Sequence, residues 1–481
     1  MYQAANMDTI LDAGIALSKE RDRNRLLDML LDKSMEITGC DGGILYILKE
    51  DTLHFQVVKH LSKSIELGKN GAKIEITPVS MEENNICSYS VKRKEVMNIE
   101  DVYECTKFDF SALYQHDKKA EYRTQSMLMI PLLNQEEESI GVLQLINALN
   151  ENQQVVAFDP DFERIIMALA SQAAIAVSNV GYMEEIKDQM WSFTEAMAEA
   201  IDTRTPYNAN HVRNVAVYAC KIADRINELH EQGLEEEYFD ANRREQLKLS
   251  ALLHDLGKLA IPTKIMNKAT RLEDKLGDIE TRFELLRLKY KILYLEKKIG
   301  QDEFSHHTMQ LDQIWELVNQ INDSGTLTDE VYERLQDITK LTYCYDGEEI
   351  PYFTKEEQED ILIRRGTLTE AERVVMESHV EMTERILSKV HFNKSYSEAP
   401  RFAVEHHECL NGTGYPKNLT ADQLPLESRI LAVADICDAL LATDRPYKEP
   451  LPREEAFDVL YDMAQKGCID KKLVGYLDAC L

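Results

Sequence analysis

His406-His407-Glu408-Cys409-Leu410-Asn411-Gly412-Thr413-Gly414-Tyr415-Pro416 is the stretch from which the C-terminal half of this chain can be read. Two adjacent histidines offer two neutral imidazoles, the commonest metal ligands in proteins. An acid follows at once. Gly412 and Gly414 supply backbone that can turn sharply or approach a ligand closely. Pro416 stops the helix expected to carry the histidines. A helix end bearing ligands, followed by a permissive loop, predicts one wall of an active site.

A histidine pair alone decides nothing. His306-His307 is also adjacent, but its neighbours form a helical, charge-rich pattern with no glycine loop, which reads as solvated helix. The 406–416 stretch therefore takes its meaning from partners elsewhere in the chain.

A length of 481 residues predicts two or three domains, each large enough for its own core. No run of 18 consecutive apolar residues occurs, so no transmembrane helix is expected. The N-terminus lacks the basic then apolar layout of a signal peptide. The nine cysteines are odd in number and none has CxxC spacing, which predicts reduced thiols and a cytoplasmic protein. The net charge of −30, without a useful Lys/Arg block, argues against a general nucleic-acid binder. A phosphate substrate would need local positive charge, which metal ions would supply.

The first region reads as helix over about 7–38, then strands over 44–48, 53–60, 72–76, 96–99, 126–132 and 140–146. A closing helix starts near Asp159-Pro160-Asp161, with acids favourable at its N-terminus. Helix, antiparallel strands and long helix make an α+β layout. Order and landmarks resemble a GAF sensory domain over residues 1–180. The landmarks are the 26–40 helix, the 41–48 strand, Ser126 to Pro131 and Ile140-Gly141-Val142-Leu143-Gln144-Leu145-Ile146-Asn147. The resemblance implies a small-molecule ligand. Asn147 and Phe158 match only part of the signature of cyclic-nucleotide-binding members, and they read first as turn and core residues.

No Gly, Pro or Ser cluster separates this region from the next. The helical pattern runs from Phe162 to about Ile201, past Gly181, and residues 181–203 read as a stiff connecting helix. Parallel pairing of two such helices predicts a homodimer.

In residues 204–481 a set of ligand-type side chains accumulates. His211 comes first. His254-Asp255-Leu256-Gly257-Lys258 follows a helical run, with Gly257 expected to end the helix and Lys258 adding a mobile cation near the acid. His379 falls on a helix expected over 370–390, and His406 and His407 on one beginning near Ala403. Asp435 lies in an apolar helix, where an acid is costly unless paired or ligating. Asp438, one turn on, shares its face.

These residues resemble the HD-GYP branch of the HD-domain phosphohydrolases. His254-Asp255 with Gly257-Lys258, the 406–416 loop, Asp435 with Asp438-Ala439-Leu440, and Arg445-Pro446-Tyr447-Lys448 carry the resemblance. It implies an all-helical domain holding iron, manganese or similar ions, and hydrolysis of cyclic di-GMP to pGpG and onward to GMP. A mixed His/carboxylate set itself suits first-row divalent metals. The implied ligands are His254, Asp255, His379, His406, His407 and Asp435, with His211 held less firmly. Asp255 and a hydroxide would bridge two ions. Lys258 would neutralise phosphoryl charge in the transition state. Arg445 and Lys448 are candidates for the second phosphate, and Tyr415 for shaping the base pocket.

The chain departs from the family pattern in three places. Asn411 stands where an Asp is usual. Tyr207 stands where members with three metals supply a Glu, so two ions are expected. Over a hundred residues separate His254-Asp255 from His379, implying a helical insertion at about 269–365. Leu272, Leu276, Ile279, Phe283, Leu286, Tyr290 and Leu293 form one stripe in it. Leu285, Leu288, Ile292, Leu295 and Ile299 form another, which suggests two packing partners. The leading expectation is a GAF-regulated cyclic di-GMP phosphodiesterase. The alternatives are a non-catalytic receptor for a cyclic dinucleotide or protein, and a phosphodiesterase for 3′,3′-cyclic GMP-AMP.

Overall fold

Helix α1 (Arg23–Thr38) starts where the Asp22 side chain accepts the Arg25 amide. It stops at Gly39, whose φ of 62° lets its N–H return to the Met35 carbonyl. An antiparallel sheet follows: β1 (Cys40–Lys49), β2 (Thr52–His60), β3 (Ile65–Leu67), β4 (Val79–Ser80), β5 (Met97–Ile99), β6 (Met127–Leu133), β7 (Ser139–Leu149) and β8 (Val155–Val156). Its order is β3-β2-β1-β7-β6-β5, with β4 on β2 and β8 on β7. Side chains alternate across a strand, and here both faces are covered. Leu45, Ile47, Leu128, Ile130 and Leu143 join a core with Leu27 and Leu30 of α1. Tyr46, Met127, Met129 and Val142 join a second core with Ile86 and Val91 of α2 (Ile86–Arg93). Leu113 and Tyr114 of α3 (Ser111–Ala120) pack against that second core. Helix α4 (Pro160–Asp202) closes the first core through Ile166, Leu169, Ala173 and Val177.

The computed structural model describes residues 12–17, 19–82, 84–204, 210–345, 347–442 and 451–481. The chain divides into two units, Met1–Met190 and Trp191–Leu481. The α+β layout of the first is as expected, with two differences. The helix expected from residue 7 is interrupted before α1, where the Glu20 carboxylate takes the amides of Arg21 and Asp22. Residues 72–76 form no strand; they follow a turn with positive φ at Gly68, Asn70 and Gly71 and lie largely exposed. Asn147 and Phe158 serve the fold. Asn147 accepts the Gln125 amide at 2.7 Å and donates to the Tyr122 hydroxyl and the Arg123 carbonyl, and Phe158 lies in the first core. One helix, α4, is long and apolar enough, by length and composition alone, to cross a membrane. Its residues Ile166 to Val177 are the ones that close the core.

The second unit is helical, as the resemblance implies. In chain order it holds α5 (His211–Glu231), α6 (Ala241–Leu253), a 3₁₀ turn (Leu256–Ala260), α7 (Thr263–Met266), α8 (Lys275–Leu295), α9 (Gln301–Asn322), α10 (Asp329–Ile338), α11 (Lys355–Ile361), α12 (Glu370–Glu377), α13 (His379–Leu387), α14 (Ala399–Val404), α15 (Leu426–Leu441), α16 (Arg453–Gln465) and α17 (Lys471–Cys480). Val212, Val215, Ala219, Ile222 and Ile226 put the buried stripe of α5 at helical spacing.

Three local expectations change. The single helix over 370–390 is two, α12 and α13, meeting at Ser378. The helix before the histidine pair ends at Val404, because the Glu405 amide returns to the Arg401 and Phe402 carbonyls, so His406 and His407 occupy the turn beyond. Gly257 does not end α6, which stops at Leu253. It allows the 3₁₀ turn to lie against α13, where an added Cβ would stand 1.8 Å from the His379 carbonyl oxygen.

The long segment between the two motif groups folds as a bundle with its own core. Ile279, Phe283 and Leu286 of α8 pack with Leu311, Ile314 and Val318 of α9 and Leu335 of α10. A hairpin of β9 (Thr342–Tyr345) and β10 (Glu348–Pro351) interrupts the expected all-helical text. The two ends of the segment are tied together: Lys268 reaches Asp360 and Glu372 at 2.7 Å each, and the buried Arg271 donates to the Ile321, Ser324 and Ile363 carbonyls. His307 is not simply solvated; it stacks on Tyr290 with ring centroids 4.1 Å apart. Most of the second stripe is not buried among the described residues. Leu285, Leu288, Ile292 and Leu295 stand exposed, and only Ile299 packs on the bundle core.

Candidate metal centre

Three histidines reach the site by one device. His254, His379 and His406 each follow the end of a helix, α6, α12 and α14. In each, Nδ1 lies 2.7 Å from the carbonyl three residues back, that of Ala251, Met376 or Ala403. Those carbonyls lie in the final turn of each helix. An Nδ1–H given to a carbonyl sets the tautomer and leaves Nε2 with a free lone pair. All three Nε2 atoms are buried, with no hydrogen-bond partner among the described residues. The rings gather: His254 and His406 lie 4.7 Å apart, His379 and His406 5.9 Å, and His406 and His407 4.0 Å.

Two carboxylates complete the set. Asp255 Oδ2 lies 3.2 Å from His254 Nε2 and 3.3 Å from His211 Nε2, while Oδ1 lies 3.5 Å from His379 Nε2. Oδ1 has no hydrogen-bond partner. Asp435 Oδ1 lies 3.2 Å from His211 Nε2, and Oδ2 lies 3.9 Å from His407 Nδ1. Two groups of potential ligand atoms result, His379–His406–His407 and His211–His254–Asp255. Asp255 lies between them, with one oxygen toward each. His211, the least firm candidate, is well inside the set, and its Nδ1 lies 2.7 Å from Asp438 Oδ2.

The electrostatics suit metal ligation. Burial, then the neighbouring His407 and His254, push His406 well below the ordinary imidazole range. Burial, only partly offset by Asp435, lowers His407 to about 4. Neutral imidazoles are the ligating form. Burial disfavours charge on Asp255, but His254 and Lys258 outweigh it and hold the carboxyl well below its usual value. His211 goes the other way: Asp255, Asp435 and Asp438 outweigh burial and hold the imidazole well above its usual value, so a metal bound there would displace its proton. Buried, unpartnered nitrogens beside carboxylates are a nitrogen and oxygen set that fits first-row divalent ions.

Lys258 is present, with Nζ 2.5 Å from Asp255 Oδ2. Tyr415 lies 4.8 Å from His407 between ring centroids, and burial raises its phenol. Arg445, Lys448 and Tyr207 lie outside the described residues. Glu408 belongs to the loop instead: its carboxylate takes the amides of Lys417 and Leu419 at 2.6 and 2.9 Å. Asn411 also faces away, donating from Nδ2 to the Lys466 carbonyl at 3.2 Å, a bond an aspartate could not make. Gly414 folds the loop back so closely that a Cβ would meet the Cys409 amide nitrogen at 2.2 Å.

Sequence reasoning missed three supporting residues. Thr383 accepts the Gly257 amide at 2.8 Å and donates to the His254 carbonyl at 3.1 Å. Arg204 donates to the carbonyls of Lys258, Leu259 and Ile261. Asp202, the last residue of α4, is buried; its carboxylate accepts the Val212 amide of α5, and burial raises it to about 6. Thr383 and Arg204 act through backbone groups and leave no spacing to read.

Comparison with known proteins agrees with both halves. The GAF domain family model matches residues 22–177, and HD domain models match residues 208–339 and 356–473. The cyclic di-GMP phosphodiesterase response regulator RpfG of Xanthomonas campestris is 40% identical over 123 residues, 24% of this chain and 32% of that protein. A cyclic di-GMP phosphodiesterase of Thermotoga maritima is 27% identical over 201 residues, 38% of this chain and 54% of its own. A 3′3′-cGAMP-specific phosphodiesterase 3 of Vibrio cholerae is 40% identical over 100 residues, 21% of each chain. The chain thus spans between about a fifth and about half of the length of these relatives.

Proposed function

We propose that this chain, which carries a GAF domain followed by an HD domain, is a metal-dependent phosphodiesterase of the HD-GYP type that hydrolyses cyclic di-GMP to pGpG and GMP. The observation that carries the reading is the gathering of three buried Nε2 atoms, of His254, His379 and His406, with Asp255 beside His254 and His379 and Asp435 beside His254. His211, His254, His379, His406, His407, Asp255 and Asp435 would hold two divalent ions, with iron or manganese preferred by the donor set. Bound there, such ions polarise phosphate oxygens and lower the pKa of the attacking water. Asp255 orients both halves of the set. Lys258, held against Asp255, carries positive charge to the phosphate. Tyr415, beside His407, walls the space next to it. Arg445 and Lys448 are proposed to hold the second phosphate.

The GAF domain would regulate this activity through a small ligand, and the chain would act in the cytoplasm as a homodimer. Exposed Met183, Ile186 and Phe193, spaced three and seven residues apart along α4, support pairing of that helix. The nine free cysteines support a reducing compartment.

The test is product chromatography of the full chain loaded anaerobically with Fe²⁺ or Mn²⁺. Release of pGpG from cyclic di-GMP, lost on chelation and in Asp255→Ala, supports the reading. Binding without release would make the chain a receptor. 3′,3′-Cyclic GMP-AMP belongs in the same assay, because three relatives are named for it. Faster turnover of that substrate would transfer the assignment.

A further inference from the structure

Four large aliphatic side chains stand exposed on one face of α8: Leu285 at 62%, Leu288 at 56%, Ile292 at 54% and Leu295 at 68%. Their spacing is three, four and three. The other apolar face of α8, Ile279, Phe283, Leu286 and Tyr290, is already buried in the bundle core. A surface helix needs one apolar face to hold it to its domain. This helix has a second.

We propose that this second face pairs with α8 of a second copy of the chain, as a short parallel two-stranded coiled coil. In heptad terms Leu285 and Ile292 take position a, and Leu288 and Leu295 take position d. At Ile292 a β-branched residue at a with leucine at d favours two parallel strands. The flanking charges select the same arrangement. Glu284 and Lys291 fall at g; Lys289 and Glu296 fall at e. In a parallel pair each g residue faces the e residue five positions on in the other strand. Glu284 then faces the partner's Lys289, and Lys291 faces the partner's Glu296, opposite signs throughout. A fully overlapped antiparallel pair would set Lys289 against the partner's Lys289 and Lys291 against the partner's Lys291. Lys289 also donates to the Cys344 carbonyl of its own chain, which holds it at the edge of the helix.

The seam is bounded at both ends. Asp278 and Thr281 occupy the preceding a and d positions, and α8 ends at Leu295, beyond which Ile299 packs on the bundle core. Pairing therefore spans about three turns of helix. Such a contact is modest in strength and sensitive to its flanking charges. It stands independently of the reading of the metal centre.

The test uses the full chain with Leu288→Cys in a Cys344→Ser background, oxidised mildly with diamide. Position d residues of a parallel pair face each other, so a disulfide-linked dimer is expected well above the level given by Cys344→Ser alone. Adding Lys291→Glu should lower its yield several-fold, and adding Glu296→Lys to that variant should restore it. All altered side chains are exposed, so the fold is retained. Linkage no greater than the Cys344→Ser background, or linkage indifferent to the charge changes, overturns the proposal and leaves the face to another partner.

Discussion

His211 Nδ1 lies 2.7 Å from a carboxylate oxygen of Asp438, while Nε2 of the same ring lies between Asp255 and Asp435. Asp438 thus holds the ring by the nitrogen that faces away from the centre. Partners of this kind tune affinity without touching the ion, at a cost of about 10- to 100-fold when removed. Asp438→Asn should weaken Mn²⁺ binding by that order in calorimetry, and Asp438→Ala by more, with the far-UV spectrum unchanged.

Unpartnered buried nitrogens are destabilising until something binds them. Metal should therefore stabilise the second unit. A ligand at about 100 times its Kd adds about 2.7 kcal/mol. Saturating Mn²⁺ should raise Tm of wild type by several degrees. His406→Ala should reduce the rise and the bound metal together, as measured by calorimetry and elemental analysis.

Acid should act on the metal-free protein through the same histidines. His407 titrates at about 4 in the folded chain, below its ordinary value of 6.5. Between those values the unfolded chain binds a proton that the folded chain does not, so stability rises with pH across that window. His379 and His406 are shifted in the same direction. The metal-free Tm should fall from pH 6.5 toward pH 4.5, and His407→Gln should shrink the fall.

Arg204 grips the carbonyls of Lys258, Leu259 and Ile261 from the end of α4. Loosening that grip lets Lys258 and Asp255 drift. Misplacement on the scale of 1 Å can cost about 100-fold in rate. Arg204→Ala should lower kcat about 10- to 100-fold with metal content unchanged, while Arg204→Lys recovers part of the loss.

At Gly257 the approach of the 3₁₀ turn to α13 leaves no room for a methyl group. Overpacking costs about 1–3 kcal/mol, occasionally more. Gly257→Ala should lower Tm and separate His254 from His379, so that metal binding falls with stability.

Much was legible in the sequence because it depends on local pattern. Near-continuous apolar runs placed β1, β6 and β7, since a strand buried on both faces carries that signature in its own residues. His254-Asp255, His379, His406-His407 and Asp435 could be chosen as candidates because ligand-type residues beside helical runs are rare. The two stripes of α8 could be counted on a helical wheel. Only the tertiary structure decided what those residues do. Which nitrogen of each histidine is free depends on a carbonyl three residues back, and so on where α6, α12 and α14 end. That Asn411 faces Lys466 and not the centre, and that Glu408 holds the loop, follows from a chain reversal at Gly414. Which stripe of α8 is buried was settled by α9 and α10. The sequence determined which groups were available; distance and burial, which only packing creates, assigned their partners.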